Sequence, residues 1–266
     1  MSPELHFALI LAVRMAVTAA FLLAATITAE RAGPLIGGLV ATLPISAGPV
    51  YIFLAIDHDA HFIAQGALAS LVTNVLNVLF AVTYALLAQK RSLAASLSGA
   101  FAVWIALSLS LAHIDWTLVR AAAFNIVVIG ISLWVVRPLR DVRVAAIRAR
   151  WYDLVIRAAM VSLLVGVVVT LSFAIGPTAT GSLAVFPIVL TSIIIILHRR
   201  IGGPATAAIM ANAVIGLGGF AVAVMTLHLT AERLGSPAAL SLALAVSIAC
   251  NMLIYVVRRR AAVAQA

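Results

Sequence analysis

The chain alternates long apolar runs with short polar joints. The runs fall at roughly 6–29, 34–56, 62–88, 92–112, 116–136, 153–175, 178–197, 204–229 and 236–257. Each has the ~20 residues needed to cross the ~30 Å hydrocarbon core of a bilayer as a helix. No water is available there to satisfy a bare backbone, so a spanning segment must close its hydrogen bonds internally. The pattern predicts an all-α, polytopic transmembrane bundle of about nine spans.

Composition removes the soluble alternative. The chain is 65% hydrophobic and 9% charged, with a mean hydropathy of +1.21. Soluble domains carry about 25% charged residues, and 9% is too few to clothe this much apolar surface. The one cysteine, Cys250, excludes an intramolecular disulfide framework. The first run has no positive leader before it and is interrupted by Arg14, so it is expected to be a true span rather than a signal peptide.

A net charge of +9 first suggests nucleic acid, but its placement points to membrane orientation. With nine spans, one face receives Arg31, Lys90, Arg91, Arg137, Arg140, Arg143, Arg148, Arg150, Arg199, Arg200 and Arg258 to Arg260, which is 13 of the 17 basic residues. The opposite joints receive only Arg233. The positive-inside bias puts the amino terminus outside and the carboxyl terminus in the cytoplasm. No nucleic-acid partner is expected. The longest charged stretch, 138–152, is read as a cytoplasmic connector with Trp151 and Tyr152 at the headgroup level.

The chain also repeats itself. GPLIGGLVATLPI begins at Gly33 and GPTATGSLAVFPI at Gly176, an offset of 176 − 33 = 143. At that offset Gly38, Pro44 and Ile45 meet Gly181, Pro187 and Ile188, and Arg14 meets Arg157. Glycine, proline and arginine sharing one offset indicate a duplication. Spans 1–4 then repeat as spans 6–9 around an extra fifth span. The expected units are 1–113, a first four-helix repeat; 114–150, the extra helix and basic connector; and 151–266, a second four-helix repeat. An offset of five spans inverts the second unit, which is the architecture of many secondary transporters.

Each unit, read through GGLVATLPISAGPVYIFLAIDHDAHF and GSLAVFPIVLTSIIIILHRRIGGP, resembles the GlpM family of small bacterial inner-membrane proteins of about four helices. The resemblance covers spans 1–4 and 6–9. It implies a membrane-embedded four-helix module and brings no catalytic or binding residue with it.

Candidate chemistry lies in the polar residues inside the runs. An arginine within a span costs roughly 2.5 kcal/mol or more by insertion scales and needs a partner or a wet cavity. Arg14, about eight residues into its run, is expected near mid-bilayer; Arg157 lies nearer its cytoplasmic end. Meeting near the repeat axis, they would form a site for a carboxylate or phosphate. Pro44 and Pro187 would free the carbonyls of Val40 and Leu183 and kink or break their spans. Asn74 and Asn77 share a helix face and serve either as interhelical glue or as substrate contacts. Gly216, Gly218 and Gly219 suit close packing or local unwinding.

At the outer face, Asp57, His58, Asp59 and His61 sit in one joint and are weak metal candidates, their spacing matching no firm motif. A solvated joint is the plainer reading, and no metal or cofactor is expected. Glu30 and Asp153, at span ends, are candidates to carry a coupling proton. P-loop, H-E-x-x-H and G-x-S-x-G signatures are absent. The leading expectation is a non-enzymatic secondary carrier for a small anionic or zwitterionic solute, with Arg14, Arg157, Pro44, Pro187, Asn74 and Asn77 at its site. A channel or lipid flippase is one alternative, and an accessory protein or metal-dependent membrane enzyme is another. The expected partners are the bilayer, the solute and a coupling ion, with a homodimer open.

Overall fold

The computed structural model describes residues 2–31, 47–140 and 150–264. Among the described residues ten helices follow in order: α1 (Pro3–Arg31), α2 (Ala47–Asp57), α3 (Ala60–Leu87), α4 (Leu93–Leu111), α5 (Leu118–Val135), the single turn α6 (Arg137–Arg140), α7 (Trp151–Ala184), α8 (Ile188–Ile201), α9 (Gly203–Leu234) and α10 (Ser236–Ala264). Among the described residues there is no strand. Among the described residues seven stretches are long and apolar enough to cross a membrane, one of them being Trp151–Ile201, 51 residues long.

Helix boundaries follow local chemistry. Asp59 accepts a hydrogen bond from the Phe62 N–H (2.8 Å) and starts α3. Ser92 and Thr117 play the same part for α4 and α5. Each cap satisfies an amide that has no partner within its own helix.

α3 is the hub, packed against α9, α7, α4 and α5. Its partner α9 runs antiparallel to it. The start of α3 meets the end of α9, where His228 Nδ1 lies 2.8 Å from the Ala64 carbonyl. At the other end, Gly203 lies against Ala88, so close that a Cβ there would be 2.2 Å from the Ala88 carbonyl oxygen. The peripheral helices present apolar side chains outward: Val119 is 78% exposed and Trp134 76%. The buried interior instead holds Ser70, Thr73, Asn74, Asn77, Asn125, Thr191 and Ser192. Polar groups inside and apolar groups outside is the arrangement a lipid solvent selects.

The stretch 151–201 is twice interrupted. Gly176 has φ 74° and ψ 175°, a backbone region essentially restricted to glycine, and it bends α7 sharply before Pro177. The chain then runs alongside α3 in the same direction. Gly181 touches Gly66, where a Cβ on Gly181 would fall 2.0 Å from the Gly66 carbonyl oxygen. Further along, Ser70 Oγ donates to the Gly181 carbonyl (2.6 Å) and Asn77 Nδ2 to the Val185 carbonyl (2.7 Å). Last, Tyr84 OH lies 2.7 Å from His198 Nδ1. The helix is broken at Val185–Pro187 and resumes as α8. Residues 177–184 and α8 give about 12 Å and about 21 Å of helix, together one bilayer thickness.

Pro187 is thus not inside a helix. It is the residue before α8, and Ile188 N donates to the Phe186 carbonyl (2.6 Å) across the break. The Leu183 carbonyl, expected to be freed, accepts from Phe186 N (3.0 Å), because the tightened last turn supplies a nearer donor. Pro44 lies outside the described residues, as do Gly37 and Gly38. α9 runs through Gly216, Gly218 and Gly219 without unwinding; of these, Gly219 allows close approach to Cys250 on α10.

Candidate functional site

Two groups of polar side chains occupy positions where lipid would penalise them. One lies at the middle of the central helix pair. The other consists of two ion pairs, one toward each end of the bundle.

The central group is built of amides. Asn74 Nδ2 donates to Asn125 Oδ1 (2.9 Å) and to the Leu217 carbonyl (3.0 Å), while Asn125 Nδ2 donates to the carbonyls of Leu71 (2.8 Å) and Ala121 (2.9 Å). Both partners of Asn74 Nδ2 are pure acceptors, which fixes the amide orientation and turns Oδ1 away from them. That Oδ1 is buried with no hydrogen-bond partner, on a residue that is 0% exposed. Asn77 holds the helix break: Trp104 Nε1 donates to its Oδ1 (3.0 Å) while its Nδ2 binds the Val185 carbonyl. Phe186, within the break, packs edge-on against Trp104 with ring centroids 5.2 Å apart. Asn74 and Asn77 therefore join helices, and between them they link α3, α4, α5, α9 and the broken span.

Arg14 on α1 meets Asp57, the last residue of α2, through both guanidinium branches. NH2 donates to Oδ1 at 2.6 Å and NH1 donates to Oδ2. Phe53 lies beneath the guanidinium, 5.5 Å from it. The side chains are 18% and 11% exposed. Arg14 is therefore drawn toward the end of the bundle that carries residues 58 and 59, and its charge is met by a carboxylate.

The second pair joins α7 to α8. Arg200 NH1 donates to Asp153 Oδ2 (2.6 Å), which also accepts from the Arg150 N–H (2.9 Å). Arg200 and Arg150 each lie 5.7 Å from the Tyr152 ring. The Asp153 side chain is 7% exposed, and its Oδ1 has no partner. Arg157 stands one turn further along α7. Its Nε is buried without a hydrogen bond, and it belongs to no ion pair among the described residues. The structure thus gives Arg14 and Arg157 separate surroundings: Arg14 is bound to Asp57, and Arg157 lies beside Asp153.

The acidic and histidine joint disperses into four jobs. Asp57 binds Arg14 and Asp59 caps α3. His58 Nε2 is 2.8 Å from Ser172 Oγ, with its ring stacked on Phe62 at 3.8 Å. His61 Nδ1 meets Glu232 (2.7 Å) in the open. Burial lowers the His58 pKa below its ordinary value, against the opposing pull of Asp57 and Asp59. Among the described residues no group of three or more His, Cys, Asp or Glu is placed to hold a metal ion.

An apolar groove of about 430 Å³ opens beside α2, α9 and α10, lined by Phe21, Tyr51, Ile52, Phe220, Leu240 and Leu244 among others. Sequence reasoning missed the partners Asp57 and Arg200. The offset could have found them, because 57 + 143 = 200.

These features define the class: an all-helical bundle with the build of an integral membrane protein. Comparison with protein-family models, curated proteins and solved structures finds no match to this chain.

Proposed function

We propose that the protein is a secondary carrier for a small anionic or zwitterionic solute in the bacterial inner membrane, with two inverted four-helix units of the GlpM-like kind around α5. The helix starts support the repeat. α3 and α9 begin at Ala60 and Gly203, and α4 and α10 at Leu93 and Ser236, in both cases at the 143-residue offset of the sequence repeat. Asn74 bonds the carbonyl of Leu217, 143 residues away. A bond between a residue and its own counterpart supports an axis there relating the units, and the antiparallel run of α3 and α9 supports a pseudo-two-fold. On this reading Trp151–Ile201 crosses twice and the apolar run 34–56, of which 34–46 lies outside the described residues, is counted once, for nine crossings with the amino terminus outside.

The observation that carries the carrier reading is the span broken at Val185–Pro187 beside this axis. Broken spans at the midplane of inverted repeats are where many carriers bind solute. The test is uptake of labelled carboxylates, phosphates and amino acids into proteoliposomes. Saturable uptake supports a carrier. Flux that stays linear with concentration would instead identify a channel. The apolar groove favours a second reading, a lipid flippase; scrambling of a fluorescent lipid without solute uptake would establish it in place of the first.

A further inference from the structure

Counting charges at the two ion pairs exposes an imbalance. In the first unit one arginine, Arg14, meets one carboxylate, Asp57. In the second unit the counterpart of Arg14 is Arg157, and the counterpart of Asp57 is Arg200, a cation. The carboxylate has moved to Asp153, one helical turn before Arg157. There it is engaged by Arg200 and by the Arg150 backbone, leaving Oδ1 unbonded. Two half-buried guanidinium groups thus stand near one buried carboxylate, and among the described residues no ion pair includes Arg157. A lone arginine inside a span is costly unless an anion or water meets it. Its planar fork suits an oxyanion with two oxygens to offer.

We propose that Arg157 is an anion-binding residue that takes a carboxylate or phosphate group, and that Asp153 is the internal anion competing for it. The Arg14–Asp57 pair is then a closed structural clasp and not part of the site. This rests on the carrier reading only for its role in transport; binding stands or falls separately. Arg157 is two turns from the exposed Trp151 at the start of α7, so the anion has two sources. It is either a dissolved solute or the phosphate of an acidic lipid headgroup.

The experiment uses the full chain. In neutral detergent, melting is followed against inorganic phosphate and succinate, with chloride at equal ionic strength as the control. In a second arm, protein in nanodiscs of phosphatidylglycerol is compared with protein in phosphatidylcholine. Stabilisation by phosphate or succinate identifies a solute site, and stabilisation by phosphatidylglycerol alone identifies a lipid site. Arg157→Gln is expected to weaken the anion about tenfold, the scale of one charge-assisted hydrogen bond. Asp153→Asn, which removes the competitor, is expected to tighten it. Arg14→Gln is expected to melt lower yet keep the anion response. An undiminished response in Arg157→Gln, weaker binding in Asp153→Asn, or no response of the wild-type protein in either arm overturns the assignment. Uptake that survives in Arg157→Gln refutes this site and leaves the carrier intact; anion binding without uptake of any solute does the reverse.

Discussion

The two ion pairs sit toward opposite ends of the bundle and are solved differently. The first is bidentate and closed, Arg14 with Asp57 over the Phe53 ring. The second is shared: Asp153 serves Arg200 and the Arg150 backbone, with Arg157 one turn away. A closed pair in a low-dielectric setting contributes mainly by forbidding the loss of either partner. A shared carboxylate can lose one cation and still face another. On the anion-site proposal the first pair is a clasp and the second is part of a site.

Arg14→Ala strands Asp57 without its cation. Removing one partner of a buried pair costs about 3–5 kcal/mol, so a large drop in Tm in detergent is expected. The exchanged pair, Arg14→Asp with Asp57→Arg, should recover much of it; no recovery would mean that the pair does not act as a clasp.

Next in size is Asn77→Leu. It leaves Trp104 Nε1 and the Val185 carbonyl unmet at the helix break, at about 1–3 kcal/mol for each unsatisfied group. At the 143-residue offset Asn77 meets Phe220, which has no amide to offer. A melt unchanged by Asn77→Leu would mean that this amide does not hold the break.

Arg200→Ala should cost less than Arg14→Ala, about 1.5–3 kcal/mol for a hydrogen bond to a charged group, because Arg157 remains beside Asp153. Equal losses from the two variants would erase the distinction between clasp and shared site.

The smallest effect expected is at His58, whose counterpart Ile201 cannot titrate. Burial lowers its pKa in the folded chain, so the unfolded chain binds the proton more readily. Its contribution to stability is complete above the ordinary histidine range and is lost as pH falls through that range toward the lower folded value. His58→Phe should flatten this acid limb of a Tm-against-pH profile.

Much of the helix layout was legible in the sequence. Runs read at 62–88, 92–112 and 116–136 became Ala60–Leu87, Leu93–Leu111 and Leu118–Val135, because lipid leaves hydrophobicity as the dominant local signal. The bend at Gly176 could be anticipated from its Gly-Pro sequence. Pairing was less legible. Asp57 was grouped with its chain neighbours His58 and Asp59, yet its partner lies 43 residues back on another helix. Which helix faces meet is set by packing, as with Gly181 against Gly66, and one-dimensional hydropathy does not record it. Arg157 was legible as an arginine within an apolar run, but its separation from Arg14 was not.

The inversion of the two halves can be tested most directly at Gln89 and Glu232, counterparts 143 residues apart near the ends of α3 and α9. Single cysteines would be placed at each in a Cys250→Ala background and exposed to a membrane-impermeant maleimide on intact cells. Inverted units with the amino terminus outside predict that the cysteine at 232 reacts at once and the one at 89 only after permeabilisation. The opposite order would reverse the orientation, and reaction of both from the same side would contradict the inversion itself.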